Sequence, residues 1–528
     1  MVFQRVSAQA LRERARQPGE WALVDVSEAG QFVMGHVFHA VGVPWSRLEL
    51  DIGRLVPRRQ VPLYLIDQGD GMAERAAARL HQLGYSQLRV VDGGLPAWRQ
   101  AGAEVFEGEF VPSKAFGELV EHHFHTPSIS ADTLRRWRRE QPGRFVVVDP
   151  RTLAEHIDGH VPGAVFCAGG ELVYRLPSLV ASPDVTVVVA CGGRTRAIIG
   201  AQALINAGVP NPVVALEGGN MGWRLAGGAL DTGLAQALAP APARPDEVRH
   251  WARSLAQRFE VPLVDAPVLR QWQQDAARTT YVLDVRTEAE YRVGHWPGAV
   301  HAPGGQLVQA TDRWLGTWGA RVVLVDSDGV RARVAAHWLR QMGWEVHVLD
   351  DAAEQEWVTQ APSLASAPPG TPALAEADVA WRALQGGALG LHVGASADHL
   401  RRHPPMVSWV SRVHLLQAAA GAREVLLLAE DPMQALWARQ DLVAAGVPEV
   451  RVLKGGMAAW AEAGLPLVQG DEGLAPAQRI DTLFWNHERK GDNFDHMRAY
   501  LDWEVALPQQ LVADGLVRYR VGEAAVQA

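Results

Sequence analysis

One unit recurs four times along this chain at fixed internal spacings, which restricts the fold to tandem copies of a single small domain. Each copy has an apolar run, a loop-opening residue, an apolar-periodic stretch, and a glycine seventeen positions after the loop opens. The pairs are Asp67 and Gly84, Cys191 and Gly208, Asp326 and Gly343, and Ala429 and Gly446. Upstream, a run-ending residue precedes a histidine by eleven positions: Asp25 and His36, Asp149 and His160, Asp284 and His295, His392 and His403. A closing turn follows in three copies, Asp92-Gly-Gly-Leu-Pro-Ala-Trp98, Glu217-Gly-Gly-Asn-Met-Gly-Trp223 and Lys454-Gly-Gly-Met-Ala-Ala-Trp460. The third copy has decayed there to Asp350-Asp-Ala-Ala-Glu-Gln-Glu-Trp357.

Short apolar runs such as Phe145–Val148, Thr186–Ala190 and Val213–Leu216 alternate with helical patterns. That alternation predicts an α/β class, each copy a parallel sheet covered on both faces by helices. The boundaries fall at 1–112, 128–240, 246–362 and 373–470. Linkers are expected at Leu238–Pro245, at Ser363–Pro372 and in the polar stretch Glu107–Pro127. Residues 474–528 belong to no copy. Their aromatic side chains (Phe484, Trp485, Phe494, Tyr500, Trp503) predict a tail that docks on the domains.

Composition narrows the function classes. A formal charge of −9 and a pI near 6.1 argue against nucleic acid as the main partner. No apolar run reaches the roughly 18 residues that span a bilayer, and the start, Met1-Val-Phe-Gln-Arg-Val, lacks the apolar core of a signal peptide. Two cysteines in 528 residues exclude a disulfide framework and suit a reducing cytoplasm. The expectation is a cytoplasmic multidomain protein with no membrane and no nucleic-acid partner.

Only one copy carries a nucleophile. Cys191 follows an apolar run and opens the loop Cys191-Gly-Gly-Arg-Thr-Arg196 before a helical pattern. A thiol at a helix N-terminus among backbone amides and two cations is expected to favour the thiolate. Glycines 192 and 193 let the backbone curl around the sulfur, and Arg194 and Arg196 offer forked donors for a divalent oxyanion, with Thr195 adding a hydroxyl. Cys167 reads as a buried structural cysteine, with a resolving thiol as the alternative. Asp149, Arg151, Glu155 and His160 recur partly in copies without a nucleophile, which points to an internal ion pair or turn. Trp223 and its equivalents read as core anchors. Glu121-His-His-Phe-His125 reads as solvated linker, because adjacent histidines face different ways, and no metal or cofactor is implied.

These landmarks resemble the rhodanese superfamily. Asp149-Pro-Arg151 with Glu155-His-Ile-Asp-Gly-His-Val-Pro-Gly-Ala164 is similar to that family's first signature. Asp284-Val-Arg286 with Glu290-Tyr-Arg-Val-Gly-His-Trp-Pro-Gly-Ala299 is closer still, and the cysteine loop and Gly-Gly-x-x-x-Trp turn match later ones. The resemblance covers roughly residues 1–470 and implies four tandem rhodanese-like domains, the second active and the others inactive at Asp67, Asp326 and Ala429. It implies transfer of sulfane sulfur through a persulfide on Cys191, from a donor such as thiosulfate to a thiol or cyanide. In that chemistry the loop Gly192, Gly193, Arg194, Thr195 and Arg196 binds the donor. Arg194 stands where the family usually has glycine.

Two alternatives stay open. One is a relay or scaffold whose Cys191 takes sulfur only from a protein partner. The other is a cysteine-dependent phosphatase or arsenate reductase, which needs arginine at the sixth position after cysteine, where Ala197 stands. The inactive copies are expected to be architectural, the first packing on the second to wall off Cys191 and the third pairing with the fourth.

Overall fold

Valine-rich runs such as Thr186–Val189 have no polar face, so they are stable only where helices cover both sides of a sheet. In the computed structural model, which describes residues 2–233, 244–350, 356–363, 365, 368–370, 373–471, 473–483, 493–517 and 519–522, every copy solves this alike. The second copy orders its strands Ser128–Ile129, Val213–Leu216, Thr186–Val189, Phe145–Asp149 and Val165–Phe166, all parallel. Numbered within the copy, that is 1-5-4-2-3. The third copy repeats it with Leu263–Val264, Glu345–Leu349, Arg321–Val325, Thr280–Asp284 and Val300–His301. The fourth does so with Leu374–Ala375, Glu449–Leu453, Glu424–Leu428, Leu389–His392 and Val407–Trp409. In the first copy Gln4–Val6, Leu88–Val91, Leu63–Ile66, Trp21–Asp25 and Val41–Gly42 follow the same order.

The fixed spacings now have physical causes. Gly84, Gly208, Gly343 and Gly446 all follow the loop helix with φ between +73° and +91°, a left-handed conformation that ends a helix at little cost only in glycine. The landmark histidines are clasps. Each donates from Nδ1 to the carbonyl four residues earlier, at 3.0 Å for His36, 2.8 Å for His160, 2.9 Å for His295 and 2.8 Å for His403. Each also exchanges paired backbone bonds with the end of its copy, at Phe106, Asp231, Val358 and Val468. The closing tryptophans are buried and donate six residues on, Trp98 to Glu104, Trp223 to Ala229 and Trp460 to Pro466. They are the core anchors expected.

The chain divides into two compact units. One comprises Met1–Leu11, Ala22–Gly108 and Leu364–His487, and therefore holds the first and fourth copies. The other comprises Arg12–Trp21, Glu109–Ser363 and Glu488–Ala528, with the second and third copies and the end of the tail. This corrects the expected pairing of first with second and third with fourth. Within the first unit, Arg412 of the fourth copy binds Glu49 of the first at 2.7 Å and Asp441 at 2.7 Å, and Arg79 bridges the same two carboxylates. Within the second unit, Gly169-Gly170 and Gly304-Gly305 bring two backbones together.

A second correction concerns Glu107–Pro127. It is not a solvated linker: Val111–Phe124 is a helix whose Val111, Ala115, Phe116 and Val120 are fully buried. The apolar spacing 111, 115, 116, 120 is helical, and Pro112 suits a first turn. The tail docks as expected, through the helix Phe494–Asp514 on the second unit. Phe484 and Trp485, most of the two Pro-rich linkers, and residues 351–355 of the decayed third turn lie outside the described residues. Among the described residues no helix is long and apolar enough to cross a membrane.

Candidate active site

The loop after the strand Thr186–Val189 is shaped by its neighbours. Asn220 donates its amide to the Cys191 carbonyl at 2.7 Å, and Met221 to Gly192 at 3.1 Å, so the Gly218-Gly219 turn is stitched to the loop. A Cβ on Gly219, at φ +52°, would collide with the Cys191 carbonyl. The loop ends where the helix Thr195–Ala207 begins, and the Gly193 and Ala197 amides act on the Cys191 sulfur.

The copies without cysteine reveal what this cradle holds. In the first, the Asp67 carboxylate accepts from the Gly69 and Ala73 amides, each at 2.9 Å. These are positions two and six after Asp67, as Gly193 and Ala197 are after Cys191. In the third, Asp326 accepts from Gly329 at 3.0 Å and Ala332 at 2.8 Å. A ring of backbone donors is an anion site, and Cys191 lies where two other copies place a carboxylate.

The side chains around Cys191 modify that picture. Arg194 donates to Glu118 from Nε and Nη2, each at 2.8 Å, and also to Glu121. Arg196 makes a forked pair with Glu155, both bonds at 2.7 Å. Thr195 Oγ1 donates to Glu504 Oε1 at 3.2 Å, and the Tyr500 hydroxyl donates to the same oxygen at 2.9 Å. Both arginines expected to receive an oxyanion are therefore committed to carboxylates.

The electrostatics differ from expectation too. Burial is the largest influence on Cys191 and pushes its thiol up; Glu504 adds to the rise, while Arg196 and the Ala197 and Gly193 amides oppose it. At 2% exposure the sulfur loses more solvation than the loop returns. Burial would also raise the Glu155 carboxyl, but Arg196 and Thr152 outweigh it and hold it down to about 2. In the third copy, burial and Asp328 push Asp326 up to about 7.

Asp149 and Arg151 form the internal ion pair expected. Arg151 binds Asp149 at 2.7 Å, and His156 meets the same carboxylate at 3.0 Å. Glu155 is different, since it ties the first landmark to the cysteine loop. The third copy repeats that tie as Glu290–Arg331 at 2.7 Å, with no nucleophile present. Cys167 lines a cavity of about 260 Å³ with Arg151, Glu171, Arg286 and Gly305, and burial pushes its thiol up. Glu118, Glu121, Tyr500 and Glu504 lie outside the repeated landmarks; Glu121 was read as solvated linker, Tyr500 as a docking aromatic, and Glu118 and Glu504 were missed. Helical spacing would have found the first pair's element, but nothing local marks Glu504.

The fold and the loop together define a parallel α/β domain that presents a buried cysteine in a cradle of backbone amides. The rhodanese-like domain model matches residues 7–101, 130–226 and 265–357, more than half of the chain, and the chain belongs to the rhodanese family. The fourth copy lies outside those matches but shares their strand order. A crystal structure of a thiosulfate sulfurtransferase from Pseudomonas aeruginosa superposes with a TM-score of 0.93 at 40% identity, covering 99% of this chain and 100% of that one. SseB of Mycobacterium tuberculosis, provisionally named a thiosulfate sulfurtransferase, is 28% identical over 138 residues. That match takes in 24% of this chain and 48% of SseB, so the chain spans about half the length of this curated relative. An HTH-type transcriptional regulator of the same organism is 33% identical over 96 residues, 18% of this chain and 42% of its own.

Proposed function

We propose that the chain transfers sulfane sulfur through a persulfide on Cys191. The observation that carries this reading is the cradle: its amides hold a carboxylate at Asp67 and Asp326 and a sulfur at Cys191. The amides and Arg196 oppose the burial that raises the thiol, and so work toward the thiolate that attacks and the persulfide that results. With thiosulfate as donor, the Cys191 thiolate attacks the outer sulfur, the S–S bond breaks, and sulfite leaves with its electron pair. A thiolate or cyanide then attacks the outer persulfide sulfur and returns the Cys191 thiolate. Two free thiols suit a reducing, cytoplasmic setting.

The engaged arginines favour a second reading, a relay fed by a protein persulfide. A free dianion would have to compete with Glu118, Glu121 and Glu155 for its cations.

Intact mass after incubation with thiosulfate tests both, beside Cys191→Ala. The expected outcome is a gain of one sulfur, about 32 Da by atomic mass, reversed by cyanide and absent from the variant. No adduct on protein whose Cys191 is freely alkylated removes thiosulfate as donor and leaves the relay.

A further inference from the structure

Glu504 comes from the tail helix, outside every repeated domain, yet it sits on the Cys191 loop. It is 2% exposed. Oxygen Oε1 accepts from Thr195 and Tyr500, and Oε2 has no hydrogen-bond partner among the described residues. That free oxygen lies 3.1 Å from where a Gly193 Cβ would stand, beside Tyr500 Cε1 at 3.1 Å and Met221 Cε at 2.9 Å. A glycine at 193 is what lets the carboxylate approach the loop.

A buried carboxylate oxygen without a donor is costly, and a ligand that brings an N–H or N⁺–H donor relieves it. The charges around the loop point the same way. Arg194, Arg196 and Lys114 face Glu118, Glu121, Glu155 and Glu504. Lys114 sits over the Tyr500 and Trp503 rings at 5.0 and 4.8 Å, holding the tail helix in place. Three cations against four carboxylates leave an excess of negative charge, and Glu504 is the member whose hydrogen bonds come from hydroxyls alone.

We propose that Glu504 is a specificity-determining residue that selects, as acceptors of the sulfur carried on Cys191, thiols bearing an ammonium group near the reacting sulfur. The inference rests on sulfur exchange at Cys191. An aminothiol is the fitting acceptor class. Its thiolate attacks the outer persulfide sulfur, the new S–S bond forms as the bond to Cys191 Sγ breaks, and the Cys191 thiolate is released. Its ammonium donates to Glu504 Oε2. Anionic thiols meet that same oxygen as a like charge.

Charged methanethiosulfonates test this on the full chain in a Cys167→Ala background. The third copy carries Ala302 at the position of Cys167, so that replacement suits the fold. Aminoethyl and sulfonatoethyl methanethiosulfonate each form a mixed disulfide with Cys191 and release methanesulfinate, read by intact mass and normalised to a small free thiol. The cationic reagent is expected to react faster, and Glu504→Gln to shrink the cation-to-anion ratio by about tenfold. Gln keeps an acceptor for Thr195 and Tyr500, and Glu140→Gln, at an exposed carboxylate, serves as control. An equal ratio in wild type and Glu504→Gln overturns the proposal. So does folded protein that neither reagent labels, since Glu504 would then guard no passage. Thiolate displacement needs no thiosulfate chemistry, so selective labelling without thiosulfate loading would fail the donor reading alone.

Discussion

The Cys191 sulfur sits between opposing fields. Burial and Glu504 favour the thiol, while Arg196 and two amides favour the thiolate. Arg196 is the largest of the opposing influences, so Arg196→Gln should move the thiol further up. A thiol ionises as pH rises, so a higher pKa shifts the iodoacetamide rate profile to alkaline pH and slows alkylation at pH 7 several-fold. Glu155, with its side chain 40% exposed, remains solvated in that variant, so the fold should persist. An unmoved midpoint would count against Arg196 as the sulfur's main counter-charge. Cys191 itself was legible in the sequence, because glycines and arginines follow it within five positions. Its partners were not. Glu121 and Glu504 stand 73 and 309 residues from the loop positions they bind, and ion pairing obeys no local periodicity.

At the scale of elements, the strand, loop and helix form one anion cradle with exchangeable contents. Asp67 accepts from two amides that would otherwise be buried donors. Asp67→Ala should therefore destabilise the first unit by about 2–3 kcal/mol, as two hydrogen bonds are lost and their donors stranded. Urea unfolding checks this, and a loss below about 0.5 kcal/mol would deny the cradle a structural role. The fourth copy tolerates Ala429 because its loop helix starts differently. Pro432 brings no amide to satisfy, and Asp431 caps the helix by accepting from Met433 at 2.9 Å. The alternation of strands with helices and the glycine stops were readable from periodicity and spacing, since each rests on local backbone geometry, whereas the order of the strands was not. The helix Val111–Phe124 was hidden by polar neighbours such as Glu107, Glu109 and the histidines at its end.

At the scale of the molecule, the same element joins the copies in both units: the turn after each copy's third strand. In the first unit that turn supplies Trp45 and Arg412, whose guanidinium lies 4.6 Å from the ring and donates to the Trp45 carbonyl at 3.1 Å. In the second unit the same turns are Gly169-Gly170 and Gly304-Gly305, with no side chains to interpose. Pairing of distant copies was unreadable, because one turn position serves either a buried ion pair or a glycine contact and neither names its partner. The glycine contact makes a position-by-position prediction. A Cβ on Gly170 would stand 2.5 Å from the Gly305 amide nitrogen, whereas one on Gly169 finds nothing nearer than 3.6 Å. Gly170→Ala should therefore cost about 1–3 kcal/mol by forcing two backbones apart, and Gly169→Ala should stay within about 0.5 kcal/mol of wild type. Urea midpoints of the two variants decide it. A Gly170→Ala variant as stable as Gly169→Ala and wild type would mean that the copies can separate at this seam without consequence, and that some other surface holds the second and third together.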